Sequence, residues 1–314
     1  MKFIEQKRSH IPADTSFVKG SFLNIKYAPG GIHEPLSHAP DGDRRTLDIY
    51  LPDAGSGPYP VIVDIFGGGW YFGNKSSHKL EPALNLLKRG FAVVSINYSL
   101  SCQDTLDTQI QEVKASIRYI RKHAAEYQLD PNRIALLGES AGAHLAAVAS
   151  TSSASGQLVD PSWPNQDVSD EVQAVIAVYC PVYMDLMKEM FKVEKMAWGL
   201  DTLIGEYGEA DSMEGVLLGG PAKDVPEAAK KANPITYLNE KCPPYLFLHG
   251  DQDQVEPIVG AMSFAAHMMA KIGVENVEFR VVKGAHHDIH DFEKEWIYDL
   301  EADFLRRRLR ITDK

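Results

Sequence analysis

The sequence predicts an α/β fold, with one largely parallel sheet covered by helices on both faces. Two observations carry this. Short, near-continuous apolar runs recur along the chain: PYPVIVDIF at 58–66, FAVVSIN at 91–97, IALLG at 134–138, QAVIAVY at 173–179 and PPYLFLHG at 243–250. Strands buried on both sides read this way because neither face meets water. Segments of helical period separate them, and that alternation is the rhythm of parallel strands joined by covering helices. The 314 residues could form one large core or two modest ones. The alternation reads as a single domain over residues 1–314.

Taken in order, a strand is expected near 19–27 (KGSFLNIKY), then a Gly/Pro-rich turn and the strand TLDIYLP. PYPVIVDIF follows and leads into a glycine run. A helix is expected over 76–89 and a strand over 91–97. Residues 108–127 place Ile110, Val113, Ile117 and Ile120 at helical spacing and leave a charged outer face. DPNR then turns the chain into IALLG, and a small-residue helix begins near 141. After QAVIAVY and PPYLFLHG come a helix over 257–272, the strand VEFRVVKG at 277–284 and a helix over 291–310. In that last helix Trp296, Ile297, Leu300, Phe304 and Leu305 are candidates for the inner face. Its early acids and terminal RRRLR suit the helix dipole better than a nucleic-acid patch.

Residues 185–231 interrupt the rhythm with mixed charges, methionines, LLGGP and a short AAKK helix, so a small cap or lid is expected there. In and just before it, Met184, Met187, Met190, Phe191, Met196 and Trp198 offer either an adaptable apolar underside or plain core packing.

Composition narrows the partners. The chain is 44% hydrophobic and 24% charged, with a formal net charge of -11. That balance argues against binding nucleic acid or anionic membranes, which needs a concentrated basic surface. No stretch approaches the ~18 apolar residues of a spanning helix, and the first twenty residues lack the apolar run of a secretory signal. Cys102, Cys180 and Cys242 are widely spaced and fit no zinc or redox motif. A cytoplasmic protein with structural thiols is the expectation. An apolar cap or final helix left uncovered would support a homodimer.

The chemistry centres on LLGESAGAHLA at 136–146, a serine between two glycines where an apolar strand meets a small-residue helix. Such a turn projects the Ser140 hydroxyl, and the helix amides face developing negative charge. Serine attacks only when a base takes its proton and a carboxylate orients that base. Asp251 and Asp253 follow the strand ending in HG, and His286, His287 and His290 follow VEFRVVKG; position alone does not choose among them. Both clusters lie where parallel sheets place their ligands. HHxxH has no matching cluster for a metal. His144 and His249 read as packing or supporting histidines. Oxyanion donors are expected from the amide of Ala141 and from the glycine loop at 67–69. Trp70 and Tyr71 either wall a substrate pocket or pack the loop on the core.

FGGGW at 66–70, VVSINYSLS at 93–101, LDPNRIALLGESAGAHLAA at 129–147, NPITYL at 233–238, HGDQDQVEP at 249–257 and KGAHHD at 283–288 occur in a telling order. Over about residues 42–310 the chain resembles the α/β-hydrolase superfamily, nearest the carboxylesterases grouped with hormone-sensitive-lipase-like and feruloyl-esterase-like enzymes. The resemblance implies Asp253, four before Pro257, as the acid and His287, three after Gly284, as the base. It implies the amides of Gly68 and Gly69 as oxyanion donors. Two positions depart from the pattern. Phe66 stands where the family has a loop-bracing histidine, and Ser99 where it has an arginine, so the loop needs another support. The implied function is a serine carboxylesterase for small or short-acyl esters that needs no cofactor. An amide hydrolase with the same triad is the alternative, and a non-catalytic binding protein would require a displaced triad.

Overall fold

Among the described residues, eight strands form one sheet in the order β1-β2-β4-β3-β5-β6-β7-β8. They are β1 (Gly20–Lys26), β2 (Thr46–Leu51), β3 (Tyr59–Ile65), β4 (Ala92–Ile96), β5 (Leu129–Glu139), β6 (Ala174–Val178), β7 (Tyr245–Gly250) and β8 (Val277–Val282). The computed structural model describes residues 11–32, 43–203 and 207–311. Parts of the first twenty residues, of the Gly/Pro-rich turn and of the 185–231 segment lie outside them. Pairing is antiparallel between β1 and β2 and between β2 and β4, and parallel across the rest. The fold is that of an α/β-hydrolase.

The helices are α1 (Glu81–Leu84), α2 (Leu106–Lys122), α3 (Ala141–Ser155), α4 (Met187–Trp198), α5 (Met213–Leu218), α6 (Pro226–Ala232), α7 (Ile258–Ile272) and α8 (Glu295–Arg308). Strand alternation sorts the core into two layers. Val61, Val63 and Ile65 of β3 face α2, α3 and α7, packing with Ile110, Val113, Leu145 and Phe264. Ile62 faces the other way, toward Leu86, Ile297 and Phe304. α3 is buried all round, which its alanines and serines permit at close range. Among the described residues, no helix is long and apolar enough to cross a membrane.

Several elements differ from expectation. The helix over 76–89 is broken into a 3-10 turn, α1 and a second 3-10 stretch (Asn85–Arg89). Pro82, with no amide hydrogen to donate, starts α1 afresh after the 3-10 turn. Residues 130–133 do not end a separate turn. They bulge within β5, where the β3 register jumps from Tyr59↔Leu129 to Val61↔Ile134. The last helix starts later than expected, after a 3-10 turn at Ile289–Phe292, and Trp296 lies half in solvent while Ile297, Phe304 and Leu305 are buried. In and just before the 185–231 segment Met184, Met187 and Phe191 are buried, but Met196 is 89% and Trp198 59% exposed. One face of α4 therefore packs on the body and its C-terminal end points to water. Cys180 and Cys242 are buried free thiols, whereas Cys102 is exposed and has no core-packing role.

Because β3, β5, β7 and β8 run parallel, their carboxyl ends lie along one edge of the sheet. The segments that leave those ends carry the glycine loop, Ser140, Asp253 and His287.

Candidate active site

Ser140 sits between β5 and α3 with φ 53 and ψ -125, a conformation that costs about 1–3 kcal/mol for a residue with a Cβ. Surrounding contacts hold it there. Its amide donates to Val178 O at 3.0 Å, and its carbonyl accepts from His144 N at 3.1 Å. The flanking glycines permit the approach. A Cβ on Gly142 would lie 1.8 Å from Ile65 O, and one on Gly138 would lie 2.5 Å from the Gly142 carbonyl.

His287, leaving β8, places Nε2 3.0 Å from Ser140 Oγ and Nδ1 2.8 Å from Asp253 Oδ2. Asp253 is buried, and its Oδ1 accepts from Val255 N and Glu256 N, both at 2.8 Å. Burial pushes the Asp253 carboxyl up, but the facing His287 and His249 more than offset it and hold it well below the usual carboxylate range. An ionised Asp253 only accepts, so His287 Nδ1 carries the proton and the Nε2 lone pair faces the Ser140 hydroxyl. His249 Nε2 lies 3.4 Å from Asp253 Oδ2 and donates to Glu256 O at 3.1 Å. The alternatives lie apart. Asp251 Oδ1 accepts from Gly284 N at 2.6 Å, His286 pairs with Asp291 at 3.2 Å, and His290 pairs with Glu293 at 3.1 Å.

The glycine loop is braced where Phe66 and Ser99 had left a question. The Phe66 ring stacks on Tyr98 at 4.3 Å, and Tyr98 OH donates to Phe66 O at 2.9 Å. Gly67 N donates to Glu139 Oε1 at 2.6 Å. Ser99 bonds through its amide (2.6 Å) and hydroxyl (2.7 Å) to the buried Glu112 carboxylate, and the guanidinium on that carboxylate comes from Arg45, at 3.0 Å. Gly68 O accepts from Phe72 N at 2.9 Å, and Gly68 and Gly69 have φ of 131 and 59. A Cβ on Gly69 would meet Met213 Sδ at 1.8 Å, so α5 presses directly on the loop. The Ala141 amide opens α3, where N–H groups have no partner within the helix.

Trp70 is buried and donates from Nε1 to His144 Nδ1 at 3.1 Å, which makes it a packing residue of the loop. Tyr71 is half-buried beside Cys102. Cys102 lines a pocket of ≈ 420 Å³ with Ser101, Asp104, Leu217 and Lys231.

His144 accepts from Trp70 through Nδ1, so Nε2 donates to Ala232 O at 2.7 Å. Burial pushes this imidazole down to about 4 from 6.5. The unfolded chain therefore takes up the proton first as pH falls. The stability tied to neutral His144 is fully present above pH 6.5 and is lost as pH falls toward 4. Chemical denaturation at pH 7 and pH 4.5 should show it: His144→Gln, which does not titrate, should reduce the stability lost between the two by about 2 kcal/mol. Equal losses in both proteins would refute the assignment.

Sequence spacing did not single out Glu139, Lys79 or Tyr179. Glu139 precedes Ser140, is buried, and accepts from Lys79 Nζ at 3.0 Å. The Tyr179 ring lies tilted against the His287 ring, with centroids 4.4 Å apart. Lys79 and Glu139 are 60 residues apart, so no local pattern could pair them. Behind Asp253, Glu194, Glu214 and Glu256 are also buried, and burial pushes all three carboxyls up.

The family model for BD-FAE matches residues 47–268. The chain belongs to the BD-FAE family. That match takes in the glycine loop, Ser140 and Asp253. This BD-FAE member is 30% identical over 277 residues to esterase LipQ of Mycobacterium tuberculosis, covering 86% of this chain and 61% of LipQ. It is 29% identical over 236 residues to the probable carboxylic ester hydrolase LipM of the same organism, covering 73% of this chain and 50% of LipM. The chain thus spans between half and two thirds of these curated relatives. Among solved structures, a truncated carbohydrate esterase from gut microbiota superposes with TM-score 0.76 at 27% identity, covering 95% of this chain and 99% of that one. A bifunctional GH43-CE of Bacteroides eggerthii superposes with TM-score 0.73 at 30% identity, covering 92% of this chain and 38% of that one.

Proposed function

We propose that this chain is a serine carboxylesterase that hydrolyses small or short-acyl esters through an acyl-enzyme. The observation that carries the reading is the continuous hydrogen-bonded relay from Ser140 Oγ through His287 to Asp253, with steps of 3.0 and 2.8 Å. His287 Nε2 takes the Ser140 proton as Oγ attacks the acyl carbon, and the electron pair of the carbonyl moves onto its oxygen. Amides of Gly68, Gly69 and Ala141 stabilise that oxyanion; such donors are worth about 2.7–4 kcal/mol each. The tetrahedral species collapses, and the alcohol leaves with the proton from His287. Water then gives its proton to His287, attacks the acyl-serine and releases the acid, and the proton returns to Ser140.

The Met213 side chain, seated against Gly69, would have to move aside for a long acyl group on that side of the loop, which supports a short one. The description of one structural relative as a carbohydrate esterase supports a sugar as the alcohol. The relay's short distances count against a binding protein with a retired site.

A p-nitrophenyl ester series from acetyl to dodecanoyl, with a p-nitroanilide alongside, tests the reading. Turnover should be highest at the shortest chains and vanish on stoichiometric fluorophosphonate labelling, with the label on the Ser140 peptide. Faster turnover of the anilide would move the assignment to amides, and no labelling would sink the nucleophile.

A further inference from the structure

Glu139 occupies an unusual place. Its carboxylate is buried, yet it meets three parts of the site that come from distant segments. Oε1 accepts from Gly67 N at 2.6 Å, on the oxyanion loop, and from Lys79 Nζ at 3.0 Å. The Tyr179 hydroxyl faces the same carboxylate. Tyr179 in turn lays its ring on His287, at 4.4 Å between centroids and 51° between planes, and Phe292 backs it edge-on at 5.1 Å.

The backbone at Tyr179 is held against its preference. It has φ 36, in the left-handed region that a bulky residue avoids. A 2.7 Å hydrogen bond from its amide to Leu248 O fixes it just past β6. Neighbouring Val178 O meanwhile accepts from Ser140 N. One strand end thus sets both the nucleophile's amide and the ring over the base.

We propose that Glu139 and Tyr179 are positioning residues, through which one carboxylate ties the oxyanion loop to the ring that holds His287 toward Ser140. The inference rests on the esterase reading and deepens it. Both groups also favour the imidazolium, which forms only once the Ser140 proton has moved. A cation over an aromatic face is attracted to it, and the Glu139 charge attracts it at longer range. Interactions present only after proton transfer raise kcat rather than lower KM. Charged and titratable groups around this centre are Lys79, Asp64 of β3, Tyr98, Tyr179, His287, Asp253 and Asp288. Burial pushes the Glu139 carboxyl up, but Lys79 and the Gly67 amide more than offset it and hold the carboxyl below its ordinary value.

The test compares the full chain with Glu139→Gln, Tyr179→Phe and Tyr179→Leu on p-nitrophenyl acetate, with thermal melts as a folding control. Glu139→Gln keeps an oxygen for Gly67 but loses the charge. It should lower kcat between about 10- and 100-fold, the scale of a lost charge-assisted contact, with little change in KM. The acid limb of its kcat/KM profile should move to lower pH, since the imidazolium loses a stabilising neighbour. Tyr179→Leu should lose about tenfold in kcat, as loss of a desolvated cation–π contact implies, and Tyr179→Phe, which keeps the ring but not the hydroxyl that faces Glu139, should restore only part of it. An unmoved acid limb in Glu139→Gln, or Tyr179→Phe no better than Tyr179→Leu, overturns the proposal even if the glutamine variant fails to fold. A wild type that neither turns over nor takes a fluorophosphonate overturns the esterase reading with it, whereas active wild type with indistinguishable variants overturns this inference alone.

Discussion

Asp253→Asn is expected to lower kcat by about 10⁴-fold while the fold survives. The reason is the way Asp253 is held. Its Oδ1 accepts from two backbone amides, Val255 N and Glu256 N, each at 2.8 Å. An asparagine must keep its carbonyl oxygen there, because its NH₂ cannot accept. The NH₂ then faces His287 Nδ1, where Asp253 Oδ2 now lies at 2.8 Å. A donor facing Nδ1 moves the ring proton to Nε2, and the nitrogen beside Ser140 Oγ no longer has a lone pair for the serine proton. Steady-state kinetics on a short-chain ester measures the loss, and slowed fluorophosphonate labelling should accompany it. A loss below tenfold would mean that Asp253 does not set the tautomer.

Gly142→Ala should destabilise the protein by more than about 4 kcal/mol, at the extreme of single substitutions. The added methyl would lie 1.8 Å from Ile65 O, and 2.7 Å from both Ile65 C and Phe66 O. These are backbone atoms at the end of a central strand. β3 is hydrogen-bonded to β4 on one side and β5 on the other, with Ile65 opposite both Ile96 and Gly138. Side chains can rotate away from an intruder, but this strand end moves only by breaking its ladders. The same atoms lead into the glycine loop, so any folded fraction should also lose activity. Urea denaturation of the purified variant, or its soluble yield, checks this; cooperative unfolding within about 1 kcal/mol of wild type would refute it.

The candidate site was legible in the sequence wherever its proposed chemistry is local. GESAG carries its own geometry, because a strand, a strained serine and a helix meet within five residues. Choosing Asp253 over Asp251 and His287 over its neighbours needed a longer pattern, since residues two apart differ only in which way the loop turns them. Asp251 turns out to brace Gly284, while His286 and His290 are drawn off by Asp291 and Glu293. The departures at Phe66 and Ser99 could be seen, but their replacements could not. Tyr98, Glu139 and Arg45 reach those positions only when β2, β3, β4, β5 and α2 are assembled.

Periodicity, glycine placement and a five-residue turn act between near neighbours, so the sequence alone determined the α/β rhythm, the elbow at Ser140 and the kinds of residue available as acid and base. Tertiary structure decided the rest. It turned Met196 and Trp198 outward, made Trp70 a partner of His144, and drew Glu139 to Gly67 across 72 residues and His287 to Ser140 across 147. The physical reason is that such a bond depends on where two strands end in space. No spacing along the chain encodes that until the sheet has set the register.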